Sequence, residues 1–314
     1  MCIAKGAGMS VRHGHELFKP TLLALGFALV ITSATAQAAI TAKQQLAALN
    51  ESQFRHLQEQ ARHGDAGAQA ALGVAYEEGL HVQKDVAEAI SWYERAAQQG
   101  NAEVLHHLGL IYEEGRGVVR NLEEAAAWYR KAAELGYAPA QCNLGTMYLE
   151  GRGVTRDVNE AAKWFEVAAR QGDAQAESNI GYMYNHGEGV PRDDQEAVTW
   201  YRKSAEQGFA IGERNLGSMY ALGSGVAKDE AEAMHWFAKA AEQGLASAWV
   251  NEALLYMEGT QTPRDYATAE KLLERAVTTG IVEAKPLLQS CRETLAANPA
   301  VEKQTATAAK PEAR

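Results

Sequence analysis

Histidines and acids are the side chains in this sequence most able to do chemistry, and their spacing argues against a reaction centre. Seven histidines follow residue 38, and none stands at the spacing of a metal-ligand set. His106 and His107 are adjacent, so on a helix they would point about 100° apart and could not readily share an ion. The sequence contains no S-x-x-K, G-x-S-x-G or H-E-x-x-H motif and no phosphate-binding glycine loop. These absences predict a protein without enzymatic activity, metal or cofactor.

A series of asparagines offers a different chemistry, the recognition of a peptide backbone. An amide side chain both donates and accepts hydrogen bonds, so it can pair with the N–H and C=O groups of an extended peptide. Alternatively, each amide bonds to a loop or backbone group of the neighbouring unit, and the recurrence fits both interpretations equally well. The series runs at intervals of 36 residues: Asn143, Asn179, Asn215 and Asn251.

The same interval organises most of the chain, as a unit that begins at Asp65 and recurs six times without insertion. Position 12 of the unit is Tyr in every copy, as in Tyr112, Tyr148 and Tyr184. Position 28 is Trp in five copies, as in Trp128, Trp164 and Trp200. The six units are 65–100, 101–136, 137–172, 173–208, 209–244 and 245–280.

Each unit is predicted to form two helices that stack on those of the next unit. Apolar residues at positions 4, 8, 11 and 12 lie on one helical face, and a glycine at position 15, such as Gly115 or Gly151, ends that helix. Asp or Asn at position 21, followed by Glu at position 24, predicts an acidic capping box at the start of the second helix. The other recurring glycines are likewise interpreted as residues that mark the ends of helices and the turns between them. Because one helix pair cannot bury two apolar faces alone, we expect an all-α, α/α solenoid.

The flanks of the repeats are predicted to be a leader, two caps and a tail. Residues 1–38 combine a basic stretch, an apolar run at 21–32 and A-x-A sites, which is typical of a secretory signal peptide cut after Ala36 or Ala38. An uncleaved anchor and a start at Met9 are the alternatives. Residues 39–64 and 281–297 predict half-unit capping helices, and 298–314 predicts a disordered tail. We therefore expect a periplasmic or secreted protein that does not span the membrane once the signal is removed.

The units resemble the Sel-one-like repeat (SLR) family, a 36-residue relative of the tetratricopeptide repeats, over residues 65–280. The resemblance implies a right-handed superhelix whose first helices line a concave groove. It also implies a scaffold or adaptor for protein partners, in envelope assembly, signalling or host contact. By family analogy a weak β-lactam-hydrolysing enzyme is an alternative, as is a regulator of an envelope sensor or secretion system. The resemblance is clearest in the third unit: Asn143-Leu144-Gly145-x-Met147-Tyr148-x-x-Gly151-x-Gly153-Val154-x-x-Asp157.

Alignment with tetratricopeptide units places the groove at positions 3, 6, 7, 10, 13 and 14. Acids dominate the N-terminal half of this set, which suggests a basic peptide segment there, although an ordinary solvated acidic face fits as well. These acids are Glu77, Glu78, Glu113, Glu114 and Glu150. Besides the four asparagines, the predicted peptide-binding residues are His106, Glu113, Glu114, Tyr182, His186 and Arg214.

The cysteine content bears on disulfide bonds, and the charge bears on the type of partner. Downstream of the leader only Cys142 and Cys291 remain, at non-equivalent positions four units apart. A disulfide needs Cα atoms within about 7 Å, so we expect two unpaired thiols. This departs from secreted SLR members that staple each repeat with paired cysteines. The formal charge of −10 argues against nucleic acid as a partner, and a monomer is expected.

Overall fold

Helices account for all the regular structure in the residues that the computed structural model describes, 43–259 and 264–297. The expected signal peptide and the expected disordered tail lie outside these residues. A short helical stretch at 43–47 precedes fourteen longer helices. In chain order these are α1 (Glu51–Arg62), α2 (Ala66–Glu78), α3 (Val86–Ala97), α4 (Ala102–Glu114), α5 (Leu122–Glu134), α6 (Ala138–Glu150), α7 (Val158–Arg170), α8 (Ala174–His186), α9 (Asp194–Glu206), α10 (Ala210–Leu222), α11 (Glu230–Glu242), α12 (Ala246–Glu258), α13 (Tyr266–Thr278) and α14 (Ala284–Ala297).

The helices alternate as the sequence predicts, with even-numbered α2 to α12 as first helices and odd-numbered α3 to α13 as second helices. Two compact parts contain the described residues, with the boundary after Ser204. In the N-terminal part each helix from α1 to α8 packs on the next, and in the C-terminal part the same holds from α10 to α14. The predicted all-α solenoid of consecutive helix pairs is therefore confirmed.

The first helices bury the face that the periodicity predicts and end at the predicted glycines. Leu108, Leu144 and Ile180, all at position 8, are fully buried. Gly115 and Gly151 stand just past their helices with φ of 72° and 70°, the left-handed conformation that side chains other than glycine rarely adopt. The tyrosines at position 12, predicted as core, are only half-buried. Tyr148 shows why, since its hydroxyl reaches the surface and accepts a hydrogen bond from Arg130 at 2.7 Å.

The second helices begin at the predicted caps, but the predicted capping box is only half formed. The side chains of Asp85, Asn121 and Asp157 each accept the backbone N–H three residues later. The glutamate at position 24 does not return a bond to the cap. The cap's own N–H instead donates to the carbonyl of the position 12 tyrosine, as from Asp157 to Tyr148 at 2.9 Å. The tertiary turn between the two helices thus satisfies the donor that the glutamate would have taken.

Glycine at position 9 does not end a helix or mark a turn. It lies inside the first helix and makes room for an aromatic ring. A Cβ atom at Gly145 would lie 2.8 Å from the ring of Phe165, and one at Gly181 would lie 2.8 Å from the ring of Tyr201. Real Cβ atoms do not approach that closely. Only glycine therefore lets the two helices of a unit close around the position 29 ring. In the sixth unit Ala253 occupies position 9, and Leu273 replaces the ring.

Both remaining cysteines are unpaired, which confirms that prediction. Cys142 and Cys291 are buried as free thiols, and burial raises the pKa of each, to about 11 for Cys291.

Among the described residues, no helix is long and apolar enough to cross a membrane.

Candidate peptide-binding surface

One face of the first helices remains open to solvent, at positions 3, 7 and 14 of the unit. These positions are separated by four and seven residues and therefore lie along one side of a helix. We call them the first-helix stripe. In α2, α4, α6 and α8 all three positions are half-buried or exposed. The side chains differ between helices: Gly67, Ala71 and Glu78; Glu103, His107 and Glu114; Pro139, Asn143 and Glu150; Gln175, Asn179 and His186.

The stripe asparagines are half-buried and hydrogen-bonded across the junction between units. Asn143 donates from Nδ2 to Nε2 of His106 at 3.0 Å, and Asn179 Nδ2 lies 3.9 Å from Cys142 Sγ. In both cases position 7 reaches position 6 of the preceding unit. The neighbouring group is a side chain, neither the loop nor the backbone of the alternative interpretation. Burial and the neighbouring His107 lower the pKa of His106 to about 4, so the neutral ring can accept this bond near pH 7.

Asn215 is half-buried, whereas Asn251 is buried, and its Nδ2 has no hydrogen-bond partner within the described chain. The four amides therefore differ in burial. Asn143 and Asn179 each use a donor on the preceding unit, and Asn251 is enclosed. Their binding of a peptide backbone stays a prediction.

Glu113, expected in the groove, is buried in a polar cluster that joins two units. It accepts a hydrogen bond from the Tyr129 hydroxyl at 2.6 Å and one from Arg152 of the next unit at 2.7 Å. A second cluster of the same kind surrounds Glu77, which accepts from Tyr93 at 2.7 Å and from Arg116 of the next unit at 2.9 Å. We call these arrangements the Glu–Tyr–Arg clusters.

The electrostatics of the first cluster are strongly shifted. Burial alone would raise the pKa of Glu77. The hydrogen bonds and charges of His107, Tyr93 and Arg116 outweigh burial and lower that pKa to about 2. His107 contributes through Nε2, which lies 2.8 Å from Oε2 of Glu77. Burial and the negative charge of Glu77 raise the pKa of Tyr93, so its hydroxyl stays a donor. The cluster is built to hold an ionised carboxylate.

The acids that suggested a basic peptide segment all have basic partners within the chain. Because these pairs neutralise much of the negative charge, the N-terminal half attracts a basic segment less than its sequence indicates. The pairs are Glu77 with Arg116 and His107, Glu78 with Lys43, Glu113 with Arg152, Glu114 with Arg116, and Glu150 with Arg152.

The remaining predicted residues are a stacked pair of rings and a buried arginine. Tyr182 is half-buried and stacks on exposed His186, with ring centroids 4.0 Å apart and planes at 25°. His186 Nδ1 also lies 3.0 Å from the Tyr182 carbonyl oxygen. Arg214 is 8% exposed, so it does not present its guanidinium freely at the surface. Within the described residues, no group of three or more His, Cys, Asp or Glu side chains is placed to hold a metal.

Sequence reasoning missed Tyr93, Tyr129, Arg116 and Arg152 as partners of the acids, although the signal is present. Where position 13 is Glu, position 29 is Tyr, as in the first two units. Where position 13 is apolar, position 29 loses the hydroxyl, as in Leu149 with Phe165 and Ala221 with Phe237. The pairing of the two positions across repeats identifies the cluster.

Known proteins contain the same repeat. The model of the Sel1 repeat matches residues 66–101, 102–137, 138–173, 174–209, 210–245 and 253–278. The chain belongs to the Sel1 repeat family. Solved structures agree with this assignment of the Sel1 repeats. One is c5321, a protective antigen of uropathogenic Escherichia coli with an SLR fold, which is 38% identical with a TM-score of 0.69 over 76% of this chain and 51% of that chain.

This Sel1 repeat chain thus spans about half the length of the E. coli protein. A second similar structure is a Sel1 repeat protein from Oxalobacter formigenes, which is 32% identical with a TM-score of 0.64. That match covers 77% of this chain and 94% of that chain. No curated protein matches the sequence. Sel1 repeats and the related tetratricopeptide-like folds generally mediate protein–protein interaction.

Proposed function

We propose that this Sel1 repeat protein is an exported, non-enzymatic scaffold that binds a peptide or protein partner along its first helices. The observation that carries the proposal is the contrast between two sets of positions. Position 8 is Leu or Ile in five units and position 15 is Gly in all six, and both build the fold, whereas the first-helix stripe differs at position 3 in every unit and changes at positions 7 and 14 along the array. A helical array that presents varied side chains along one open face is suited to recognising one extended partner at several points.

The contact residues of this proposal are five solvent-accessible members of the predicted set: Asn143, Asn179, Glu114, Tyr182 and His186. Asn143 and Asn179 keep their Oδ1 atoms for a partner, because the contacts described above use only Nδ2. The stacked pair of Tyr182 and His186 offers an aromatic face with a polar edge. Glu113 and Arg214 are buried and are not proposed as contacts. The first helices are proposed to line a concave groove, so that these contacts converge on one partner.

Export and an envelope role complete the proposal. They are supported by the basic, apolar and A-x-A order of residues 1–38. The E. coli relative is described as a protective antigen. A role in envelope assembly, signalling or host contact is consistent with both.

Site-specific photocrosslinking in cells tests the proposal. A photoreactive residue is placed at His186 or Gln175 on the stripe of α8, and for comparison at exposed Thr199 on α9. We expect a discrete crosslinked protein from both stripe positions and none from Thr199. Mass spectrometry then identifies the partner. Equal crosslinking from Thr199, or no protein product from either stripe position, would contradict the proposal.

A further inference from the structure

A polar bridge at position 5 ties the first helices of the first and third units to their surroundings. In the third unit Gln141 donates to the Ala133 carbonyl of the preceding unit at 3.0 Å and accepts from Gln171 of its own second helix at 2.7 Å. In the first unit Gln69 makes the same two bonds, to Ala61 and from Gln99. We call this pair of contacts the glutamine bridge. It fills the space between the end of one second helix and the next unit.

The second unit lacks the glutamine bridge, because leucine occupies both of its positions. Leu105 replaces the glutamine at position 5 and is buried, and Leu135 replaces the glutamine at position 35 and is 55% exposed. An exposed leucine at a position that is Gln in four other units is a local exchange of polar for apolar surface.

A cavity of about 370 Å³, partly open to solvent, lies beside Leu105, the residue that replaces the glutamine at position 5. This is within the size range of small-molecule sites, about 300–1,000 Å³. Leu105 of α4, Ala97 of α3 and the Trp128 ring of α5 form its apolar part. The polar lining residues are Glu94, Gln98 and Lys131.

The two charged groups of the lining are not neutralised by each other. Glu94 makes no ion pair or side-chain hydrogen bond with any described residue, and no nitrogen of Lys131 lies within 4.0 Å of its oxygens. Lys131 places Nζ over the Trp128 ring, 3.9 Å from its centroid. The third unit is the natural contrast, because there Arg170 pairs with Glu166, the equivalent of Glu94. In the fourth unit, position 5 is the buried acid Glu177.

From these observations we propose that the cavity binds a free apolar α-amino acid of about the size of leucine or phenylalanine. Its ammonium group faces Glu94, its carboxylate faces Lys131, and its side chain lies on Leu105, Ala97 and the Trp128 ring. A ligand with both charges and an apolar side chain matches all three kinds of group in the cavity, whereas a purely apolar ligand would leave Glu94 without an ionic partner.

Calorimetric titration of the purified protein with L-leucine and L-phenylalanine tests this site. We expect saturable binding of both and none of glycine. Leucinamide and N-acetyl-leucine, which each lack one charge, should bind about fivefold more weakly or worse. Absence of binding at millimolar leucine and phenylalanine, or equal binding of all the leucine derivatives, would overturn the proposal. The second result would mean that the cavity takes an apolar group without recognising its charges.

Two variants separate the site from the fold. Leu105→Gln/Leu135→Gln rebuilds the bridge of the third unit, so it should abolish binding while the protein unfolds at the same temperature or higher. Glu94→Gln should weaken leucine but leave N-acetyl-leucine unchanged, whereas the matched Glu166→Gln should change neither. Undiminished leucine binding in either test variant would overturn the proposal. None of these residues belongs to the first-helix stripe, so the amino-acid site and the partner surface can fail independently.

Discussion

The substitution Glu77→Gln removes the charge at the centre of the first Glu–Tyr–Arg cluster while keeping the shape of the side chain. The Glu77 side chain is 14% exposed and its partner Arg116 is 37% exposed, so solvent screens the cluster in part. The pKa of Glu77 is lowered from 4.5 to about 2. A lowered pKa means that the carboxylate stabilises the folded protein above the unfolded-state pKa and stops doing so as pH falls through the folded-state pKa.

The magnitude follows from the shift. At about 1.4 kcal/mol per unit, the ionised carboxylate contributes about 3 kcal/mol to the free energy of unfolding at pH 7. With the same two pKa values the contribution falls to about 1.4 kcal/mol at pH 3 and vanishes below pH 2. We therefore expect Glu77→Gln to destabilise the protein by about 3 kcal/mol at pH 7 and by less than half of that at pH 3.

Urea denaturation at pH 7, 4 and 3, followed by tryptophan fluorescence, measures this difference. Hydrogen exchange of the α2 and α4 amides locates it, since a repeat array need not unfold as one unit. Glu59→Gln, at an exposed position of α1, is the matched control and should change little. A loss below about 1 kcal/mol at pH 7, or an equal loss at pH 7 and pH 3, would refute this reasoning.

Three further predictions concern packing, thiols and catalysis. Gly145→Ala should destabilise the protein by about 1–3 kcal/mol in thermal unfolding, because the new Cβ would meet Phe165. Adding Phe165→Leu gives the combination found at Ala253 and Leu273 and should recover most of the loss. No recovery would contradict the close-approach argument. In a Cys2→Ser variant, Cys142 and Cys291 should react with a thiol reagent only after denaturation, because both are buried and their pKa values are raised. Fast reaction of the native protein would contradict this prediction. The purified protein should not turn over nitrocefin, and turnover that a single substitution abolishes would reveal an enzyme.

The parts of the fold that sequence predicts well are those encoded by neighbouring residues. Gly115 ends α4 and Asn121 caps α5 through groups only a few residues away, so the repeat pattern alone identifies both. The position 9 glycines were misinterpreted because their reason lies twenty residues away. The ring that Gly145 accommodates belongs to Phe165 on the other helix of the unit.

The candidate site was less predictable because its decisive contacts cross from one unit to the next. Arg152 reaches back 39 residues to Glu113, and Asn143 reaches back 37 residues to His106. Which side chains meet at a junction depends on how far one unit is turned and shifted against its neighbour, and no local pattern specifies that geometry. Glu113 therefore looked like a surface acid in sequence although it is a buried link between units.

The distribution of the Glu–Tyr–Arg clusters has a mechanical consequence. The first two junctions between units are held by charged hydrogen bonds, which are directional and tolerate little sliding. The third junction has Leu149 and Phe165 at the corresponding positions, and apolar contacts resist separation but permit small rotations. We expect the N-terminal part of the array to have uneven stiffness, with more torsional compliance between α7 and α8 than at its first two junctions. A partner that strains this part would deform it there first.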